Sequence, residues 1–156
     1  MISARKTAQL RSARSFGIGR LFLLARRDFS QRLSKKMADK TGNTNPIVGG
    51  SILPFIDLEG TRSIEIARRA GISKQAVGKL LKELEDAGLV TRSQDESDGR
   101  AQIIFFTDTG VEYLLQIHAS IKSIEQEYEA ILGKQELGDL RSSLSKLAYA
   151  ENVLPK

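Results

Sequence analysis

Apolar residues recur every three or four positions along most of the chain, which is the spacing of amphipathic helices. Residues 15–40 show this pattern and predict a first helix, with apolar positions at Phe22, Phe29, Leu33 and Met37. A helix-like segment is expected from about 46 to 57, where Pro54 should bend or restart it. A turn is expected over residues 58–60.

Two short helices follow, over residues 64–70 and 74–87. Ser63 and Ser73 should cap them, because a serine hydroxyl accepts a hydrogen bond from a free backbone N–H, and the glycine after each helix should end it. A helix-turn-helix needs a small residue at the crossing, a glycine in the turn and inward apolar residues on the second helix. The chain supplies these as Ala67, Gly71, Val77 and Leu80. The pattern therefore predicts a helix-turn-helix, whose second helix can enter the major groove.

A β-hairpin is predicted directly after these helices. Two segments rich in β-forming residues, 90–94 and 102–106, flank a polar loop over 95–101 that contains an Asp-Gly turn. A hairpin in this position gives the order of a winged helix, and Arg100 at its tip can reach the minor groove or the DNA backbone. Alternatively, Arg100 pairs with Asp98 or Asp95 and holds the loop.

Two further helices complete the predicted fold. Thr107 should cap a long helix whose apolar stripe includes His118 and which ends at Gly133. The last helix has a narrow, coiled-coil-like seam formed by Leu137, Leu140, Leu144 and Leu147. Such a seam needs a partner. The expected fold class is mainly α with a small β-hairpin wing, a winged helix-turn-helix joined to a helical dimerisation layer.

The second helix of the helix-turn-helix carries the candidate DNA contacts. Gln75 can read adenine, and Lys74 and Lys79 can reach guanine or phosphate. Three acidic residues in the second half of the helix would repel phosphate, so only its first two turns should enter the groove. Gly78 is explained equally well by a close approach to DNA or by close packing on a neighbouring helix. A solvated lysine face is the alternative to DNA binding.

Charge is unevenly distributed along the chain. The net charge is +5, but residues 1–40 carry 11 basic and 2 acidic residues. Four of these basic residues are expected to form an arm that reaches phosphates flanking the bound DNA, namely Arg5, Lys6, Arg11 and Arg14. Later basic residues should pair with the acidic carboxy-terminal helices. The same stretch imitates a targeting signal, but Arg20 interrupts the apolar run, so we expect a cytoplasmic, nucleoid-associated protein without a cleaved segment.

Composition excludes several classes of function. The chain has no Cys and one His, so it has no thiolate nucleophile, no thiol switch and no Cys-based or His-cluster metal site. No apolar run approaches the roughly 20 residues needed to span a bilayer. An enzyme would need a convergent nucleophile, base or carboxylate pair, and none is evident. We therefore expect no cofactor and no enzymatic activity.

Residues 52–110 resemble the MarR family of winged-helix transcriptional regulators. Three linked motifs carry the resemblance, Leu84-Glu85-Asp86-Ala87-Gly88-Leu89-Val90-Thr91-Arg92, Asp98-Gly99-Arg100 and Phe106-Thr107-Asp108-Thr109-Gly110. They are similar to the family's Leu-Glu-x-x-Gly-Leu-Val-x-Arg, Asp-x-Arg and Leu-Thr-x-x-Gly motifs, with Phe106 in place of the usual Leu.

The resemblance implies a homodimer that binds double-stranded DNA at an inverted repeat, represses a nearby promoter and is released by a small aromatic or phenolic anion. It implies three regions: a basic arm and dimerisation helix over 1–45, a winged helix-turn-helix over 46–110 and dimerisation helices over 111–156. The candidate DNA-contacting residues are Arg62, Ser73, Lys74, Gln75, Lys79, Lys82, Arg92, Asp98 and Arg100.

An effector pocket could be bordered by Arg20, Phe55 and His118, although a lone His on an apolar stripe is more often a hydrogen-bonded interface residue. A winged-helix module that binds proteins rather than DNA is the alternative function. Such a module has no need of basic residues aligned on one side of the helix and wing.

Overall fold

The computed structural model describes residues 3–41, 50–95 and 97–149 of the chain. Its amino-terminal part consists of two helices, α1 (Ala4–Phe16) and α2 (Ile18–Thr41). Gly17, with φ −67° and ψ 120°, breaks the helix between them. The predicted first helix is confirmed over α2, but its predicted start at residue 15 is wrong because the extended Gly17 separates two helices. Residues 4–14, expected to be an arm, are helical.

The segment before the helix-turn-helix is less helical than its sequence suggests. A single 3₁₀ turn, Leu53–Phe55, begins next to Pro54, and the rest of 50–60 is irregular. The predicted helix-like segment is therefore wrong over the described residues 50–57, and residues 46–49 lie outside them. The predicted turn over 58–60 is confirmed, and Gly60 there has φ +95°.

The helix-turn-helix is formed by α3 (Ser63–Ala70) and α4 (Lys74–Asp86). The Ser73 hydroxyl accepts a hydrogen bond from Ala76 N at 3.2 Å, as predicted for the cap of α4. The predicted cap of α3 is wrong, because Ser63 is the first helical residue and Arg62 occupies the cap position without a side-chain hydrogen bond. Gly71 ends α3 in the left-handed conformation, with φ +65°.

The wing is a three-stranded antiparallel sheet in which the central strand pairs with one strand on each side. Strands β2 (Val90–Asp95) and β3 (Asp98–Phe106) form the predicted hairpin, with Thr91 opposite Phe105. The strands extend into the expected 95–101 loop, so that loop is shorter than predicted. The third strand, β1 (Thr61–Arg62), was not predicted, because a strand of two residues is too short to show the alternation of apolar and polar residues.

Helices α5 (Asp108–Leu132) and α6 (Lys134–Ala148) complete the described fold. Thr107 caps α5 as predicted: its hydroxyl accepts from Gly110 N at 3.0 Å and donates to the Gly88 carbonyl oxygen at 2.6 Å. A Cβ on Gly110 would overlap the carbonyl oxygen of Leu89 and lie 2.9 Å from its carbonyl carbon. Glycine is therefore required where α5 passes the start of the wing.

Helices α2 and α5 pack against each other and link the helical layer to the winged helix. Met37 and Ile124 are fully buried in one core with residues of the helix-turn-helix and the wing, among them Ile52, Ile66, Leu81, Leu84 and Ile104. The predicted stripe of α5 is partly wrong, because His118 is exposed and Ile117 is buried in its place. None of the residues of α6 is buried. No helix in the described ranges is both long and apolar enough to cross a membrane.

Candidate nucleic-acid interface

Helix α4 separates its apolar and basic residues onto two faces. Val77, Leu81 and Leu84 are buried and fix the helix to the core. The predicted contacts on the other face are exposed, and they are Ser73, Lys74, Gln75, Lys79 and Lys82. Beyond them the helix ends in acidic residues, so positive charge is concentrated at the amino-terminal end, where the macrodipole is also positive. This end of α4 is suited to approach a phosphate backbone.

A cleft of about 530 Å³ lies between α4, the start of α3 and the wing. It is lined by Arg62, Ser63, Ile64, Lys74, Val77, Gly78, Leu81, Arg92, Ala101 and Gln102. A Cβ added at Gly78 would meet nothing within 4 Å. Close packing within the described part of this chain therefore does not explain Gly78, and the close approach of DNA stays a prediction.

Two of the predicted DNA contacts are held by residues of the winged helix itself. Arg62 Nε donates to Asp95 Oδ2 at 2.6 Å, and its Nη2 donates to Ser97 Oγ at 3.1 Å. Arg92 forms an ion pair with Glu85 at 2.7 Å and donates to Gln102 at 3.2 Å. Arg62 therefore holds β1 to the end of β2, and Arg92 holds the wing to α4. Both guanidinium groups are thus engaged within the winged helix, and their roles at DNA stay predictions.

Asp95 is the anchor of the wing, and it acts through Arg62 and Ser97, whereas the sequence suggested it only as a partner of Arg100. It is only 7% exposed and accepts from the backbone N–H of Ser97 at 2.8 Å and from the Ser97 hydroxyl at 2.7 Å. These hydrogen bonds, together with the Arg62 guanidinium, lower the pKa of Asp95 to about 2. The Asp-x-Ser spacing is an Asx-turn signal that could have identified the Ser97 contact.

The tip of the wing carries the other two predicted contacts, Asp98 and Arg100. Their backbone belongs to β3, but their side chains lie outside the described part of the structure. Their proposed roles at the DNA therefore stay predictions. The suggested pairing of Arg100 with Asp95 has a competitor, because Arg62 already occupies that carboxylate.

A second ionic cluster neutralises the basic residues of α3. Glu65 accepts from Arg68 and Arg69, each at 2.8 Å or less, and these bonds lower the pKa of Glu65 to about 2. Arg69 also donates to Asp57 at 2.8 Å, and the Thr61 hydroxyl donates to Asp57 at 3.0 Å. Both contacts lower the pKa of Asp57. The cluster joins α3 to the segment that precedes it, so the arginines of α3 stabilise the fold.

None of the three candidate effector residues lines the cleft beside α4. Arg20 is exposed on α2, Phe55 is half-buried at the 3₁₀ turn and His118 is exposed on α5. A larger, apolar groove of about 750 Å³ lies between α2, α5 and α6, and none of the three residues lines it. The effector pocket stays a prediction. No group of three or more acidic or His side chains in the described ranges is placed to hold a metal ion.

Comparison with known proteins identifies one group of relatives. The sequence model of the MarR family matches residues 51–101. TcaR of Staphylococcus aureus, an HTH-type transcriptional regulator, is 30% identical over 101 residues, which cover 64% of this chain and 67% of TcaR.

Solved structures share the fold over most of the chain. A MarR-family regulator from Rhodococcus sp. RHA1 has a TM-score of 0.71 at 22% identity, covering 87% of this chain and 95% of its own. The repressor CouR bound to a 23-mer DNA duplex has a TM-score of 0.68 at 25% identity, covering 83% and 91%. CouR from Rhodococcus jostii RHA1 bound to p-coumaroyl-CoA has a TM-score of 0.68 at 23% identity, covering 91% and 97%. These matches confirm the predicted fold class.

Proposed function

The chain belongs to the MarR family of DNA-binding transcriptional regulators, and on that basis we propose that it is a homodimeric repressor that binds an inverted-repeat operator. The observation that carries this proposal is the basic, exposed amino-terminal face of α4 beside the wing. The family consists of transcriptional regulators rather than enzymes.

In the proposed complex the first two turns of α4 enter the major groove. Gln75 pairs with an adenine edge, while Lys74 and Lys79 contact guanine or phosphate. Gly78, which has open space around it, lets the helix backbone approach the bases closely. Glu83 and the acidic residues after it keep the rest of the helix away from phosphate. Arg100 extends the contact from the wing into the minor groove.

The dimer is supported by the apolar surfaces left open by α2 and α6. Leu140, Leu144 and Leu147 of α6 are 45%, 41% and 59% exposed, and Phe22 of α2 is 43% exposed. Phe22, Leu140 and Leu144 line the apolar groove between α2, α5 and α6. If a second copy of the chain packed against this groove, the contact would bury the groove and the exposed leucines of α6 in both copies. Two-fold symmetry then places two recognition helices on half-sites about one helical turn, roughly 10 bp, apart.

Repression and release by a ligand are proposed from the relatives. CouR is a repressor that was solved both on a 23-mer duplex and with p-coumaroyl-CoA. A duplex of that length accommodates two half-sites one turn apart. We keep a small aromatic or phenolic anion as the proposed effector, with Arg20, Phe55 and His118 as candidate contacts.

The test is selection of duplexes from a random-sequence library by the purified protein. We expect an inverted repeat to be enriched and bound in a salt-sensitive manner. Lys79→Ala should weaken binding to the selected duplex about tenfold and reduce the salt slope by about one, as expected for a lost phosphate contact. Lys146→Ala on α6 removes an equal charge from an exposed position and serves as the matched control.

Two results would contradict the proposal. If no motif is enriched, or if the Lys79 and Lys146 variants bind equally well, operator recognition by α4 is wrong. The alternative of a protein-interaction module would then be preferred. A monomer by light scattering at micromolar concentration would refute the dimer separately, because the operator symmetry depends on it.

A further inference from the structure

Helix α6 is not fixed in position by burial within its own chain. None of its residues is buried, and it is joined to α5 by the ion pair between Arg141 and Glu125, whose atoms are 3.3 Å apart and whose side chains are 61% and 45% exposed. Exposed ion pairs contribute little to stability. Helix α2 is held more closely, because Arg32 and Lys36 each contact Glu127 of α5 at 2.6 Å, as expected for the later basic residues. The angle between α5 and α6 therefore depends on the residue that joins them.

Gly133 is that residue, and it makes the whole turn between the two helices. Its N–H donates to the Glu129 carbonyl oxygen of α5 at 2.8 Å, and its carbonyl oxygen accepts from Leu137 N of α6 at 3.2 Å. Helical hydrogen bonding thus reaches Gly133 from both sides, without a linker. The backbone of Gly133 has φ +82° and ψ 158°. This conformation is essentially confined to glycine, because the Cβ of an L-residue would clash with its own backbone.

An L-residue at position 133 would turn α6 in a different direction. A Cβ added at Gly133 would meet no described atom within 4 Å, so neighbouring side chains do not oppose the substitution. The obstacle is the backbone alone. An L-residue that keeps this ψ needs a φ in the β region, which rotates α6 by roughly 120° or more about the N–Cα bond. The direction of α6 is thus tied to glycine at this position.

Gly133 lies where two walls of the apolar groove meet. Leu132, the last residue of α5, lines the groove on one side, and Leu137 and Leu140 of α6 line it on the other. The groove holds about 750 Å³ and is covered by a second copy in the dimer proposed above. If α6 turned away from α5, these walls would separate and the groove would lose its α6 side.

We propose that Gly133 is the positioning residue of the dimer interface. Its glycine-only conformation holds α6 at the angle that forms the groove, and a second copy of the chain binds only with α6 at that angle. Gly133 acts through the leucines of α6 rather than by contact of its own with the second copy. This inference rests on the proposed homodimer and goes beyond it, because it assigns the geometry of the interface to one backbone conformation.

Three variants of the full chain test this role. Gly133→Ala adds one methyl group and disfavours the observed backbone conformation. D-alanine in place of Gly133 adds the same methyl group but permits that conformation, which lies within about 20° of the mirror-image β region that D-residues favour. It is introduced by ligating a synthetic peptide of residues 130–156 to recombinant residues 1–129. Gly71→Ala is the matched control, because Gly71 also has a positive φ, +65°, and open space for a Cβ, but lies in the helix-turn-helix.

The dimer dissociation constant is measured by sedimentation equilibrium without DNA. In Gly133→Ala it should rise at least about tenfold, because both copies must adopt the disfavoured conformation. The D-alanine variant should stay within about threefold of the parent, and so should Gly71→Ala, although its Tm falls. Circular dichroism checks that each variant folds. If Gly133→Ala does not fold, Gly133→Asn takes its place with an expected rise of at least about threefold, since Asn tolerates positive φ better.

The angle between α5 and α6 is measured through distances between spin labels. The chain has no Cys, so Lys122→Cys on α5 and Lys146→Cys on α6 create two unique labelling sites at exposed positions. Labelled protein is mixed with an excess of unlabelled protein, so that the distances recorded lie within one chain. Gly133→Ala should shift or broaden the distance distribution, and Gly71→Ala should reproduce that of the parent.

The outcomes separate this inference from the proposed function. A monomeric parent refutes the proposed homodimer and the inference with it. A dimeric parent with an equally stable Gly133→Ala dimer overturns the inference alone. Equal weakening by L-alanine and D-alanine also overturns it, since the methyl group rather than the backbone conformation would then be responsible. So does a weakened Gly133→Ala dimer whose label distances match those of the parent.

Discussion

Gly110 and Gly78 are both helical glycines, and the structure predicts opposite effects when each is replaced by alanine. An unobstructed Gly→Ala change within a helix gains about 1 kcal/mol of stability. Gly78 has open space around it, so Gly78→Ala should gain about that amount. At Gly110 the new methyl group would overlap the backbone of Leu89, which is not the flexible end of a side chain. Such overpacking costs about 1–3 kcal/mol, and the Thr107 cap, about 1 kcal/mol, would be displaced with it.

The net expectation for Gly110→Ala is therefore a loss of about 1–3 kcal/mol. At about 2–4 °C per kcal/mol, the Tm should fall by about 2–12 °C in Gly110→Ala and rise by about 2–4 °C in Gly78→Ala. Both are measured by circular dichroism at one protein concentration, because dimer stability depends on concentration. If Gly110→Ala is as stable as Gly78→Ala, the close approach of α5 to the wing is wrong. Selected-duplex binding should fall in Gly78→Ala despite its higher stability.

Three further expectations follow from named contacts. The lowered pKa of Asp95 means that its contribution is complete above its ordinary pKa near 4 and disappears as pH falls towards 2, so Asp95→Asn should flatten the acid side of the stability profile; an unchanged profile would refute the anchor. Burial and Asp28 raise the pKa of Tyr128 to about 12, so its phenol should ionise later than an ordinary tyrosine in an absorbance titration, and Tyr128→Phe should abolish that late step. Leu144→Asp should yield monomers by light scattering, whereas Leu58→Asp, at an exposed position outside α6, should not.

Local signals in the sequence predicted the elements that local chemistry determines. Ser73 and Thr107 were identified as caps because a hydroxyl next to an apolar periodic stretch is sufficient to start a helix. Gly71 was identified as a stop because a left-handed residue ends a helix wherever it lies. Because such local signals mark where each element begins and ends, the predicted order of helix-turn-helix, hairpin and long helix was correct. These features depend on residues within about one helical turn.

The pattern of apolar and polar positions does not predict contacts between residues that are far apart in the sequence. The Arg62–Asp95 pair joins positions 33 apart, and the sequence gives no reason to prefer it over a pairing with Arg100. His118 was assigned to the buried stripe of α5 because helical spacing alone does not define which side meets α2. The break at Gly17 was not predicted, because a single extended residue leaves the helical spacing of apolar residues intact on both sides. For Arg62 and His118, packing against residues distant in the sequence decides the outcome.

The junction between α4 and α5 determines how the two halves of the molecule can move. Thr107 N donates to Leu89 O at 3.1 Å, and Leu89 N donates to Leu84 O of α4 at 2.9 Å. With Gly110 pressed against Leu89, the end of α4 and the start of α5 are coupled by backbone contacts. We therefore expect α4 and α5 to rotate together as one rigid unit. In a dimer, the separation of the two recognition helices would then follow the angle between the two α5 helices, and a rotation of a few degrees there would change the operator spacing that fits best.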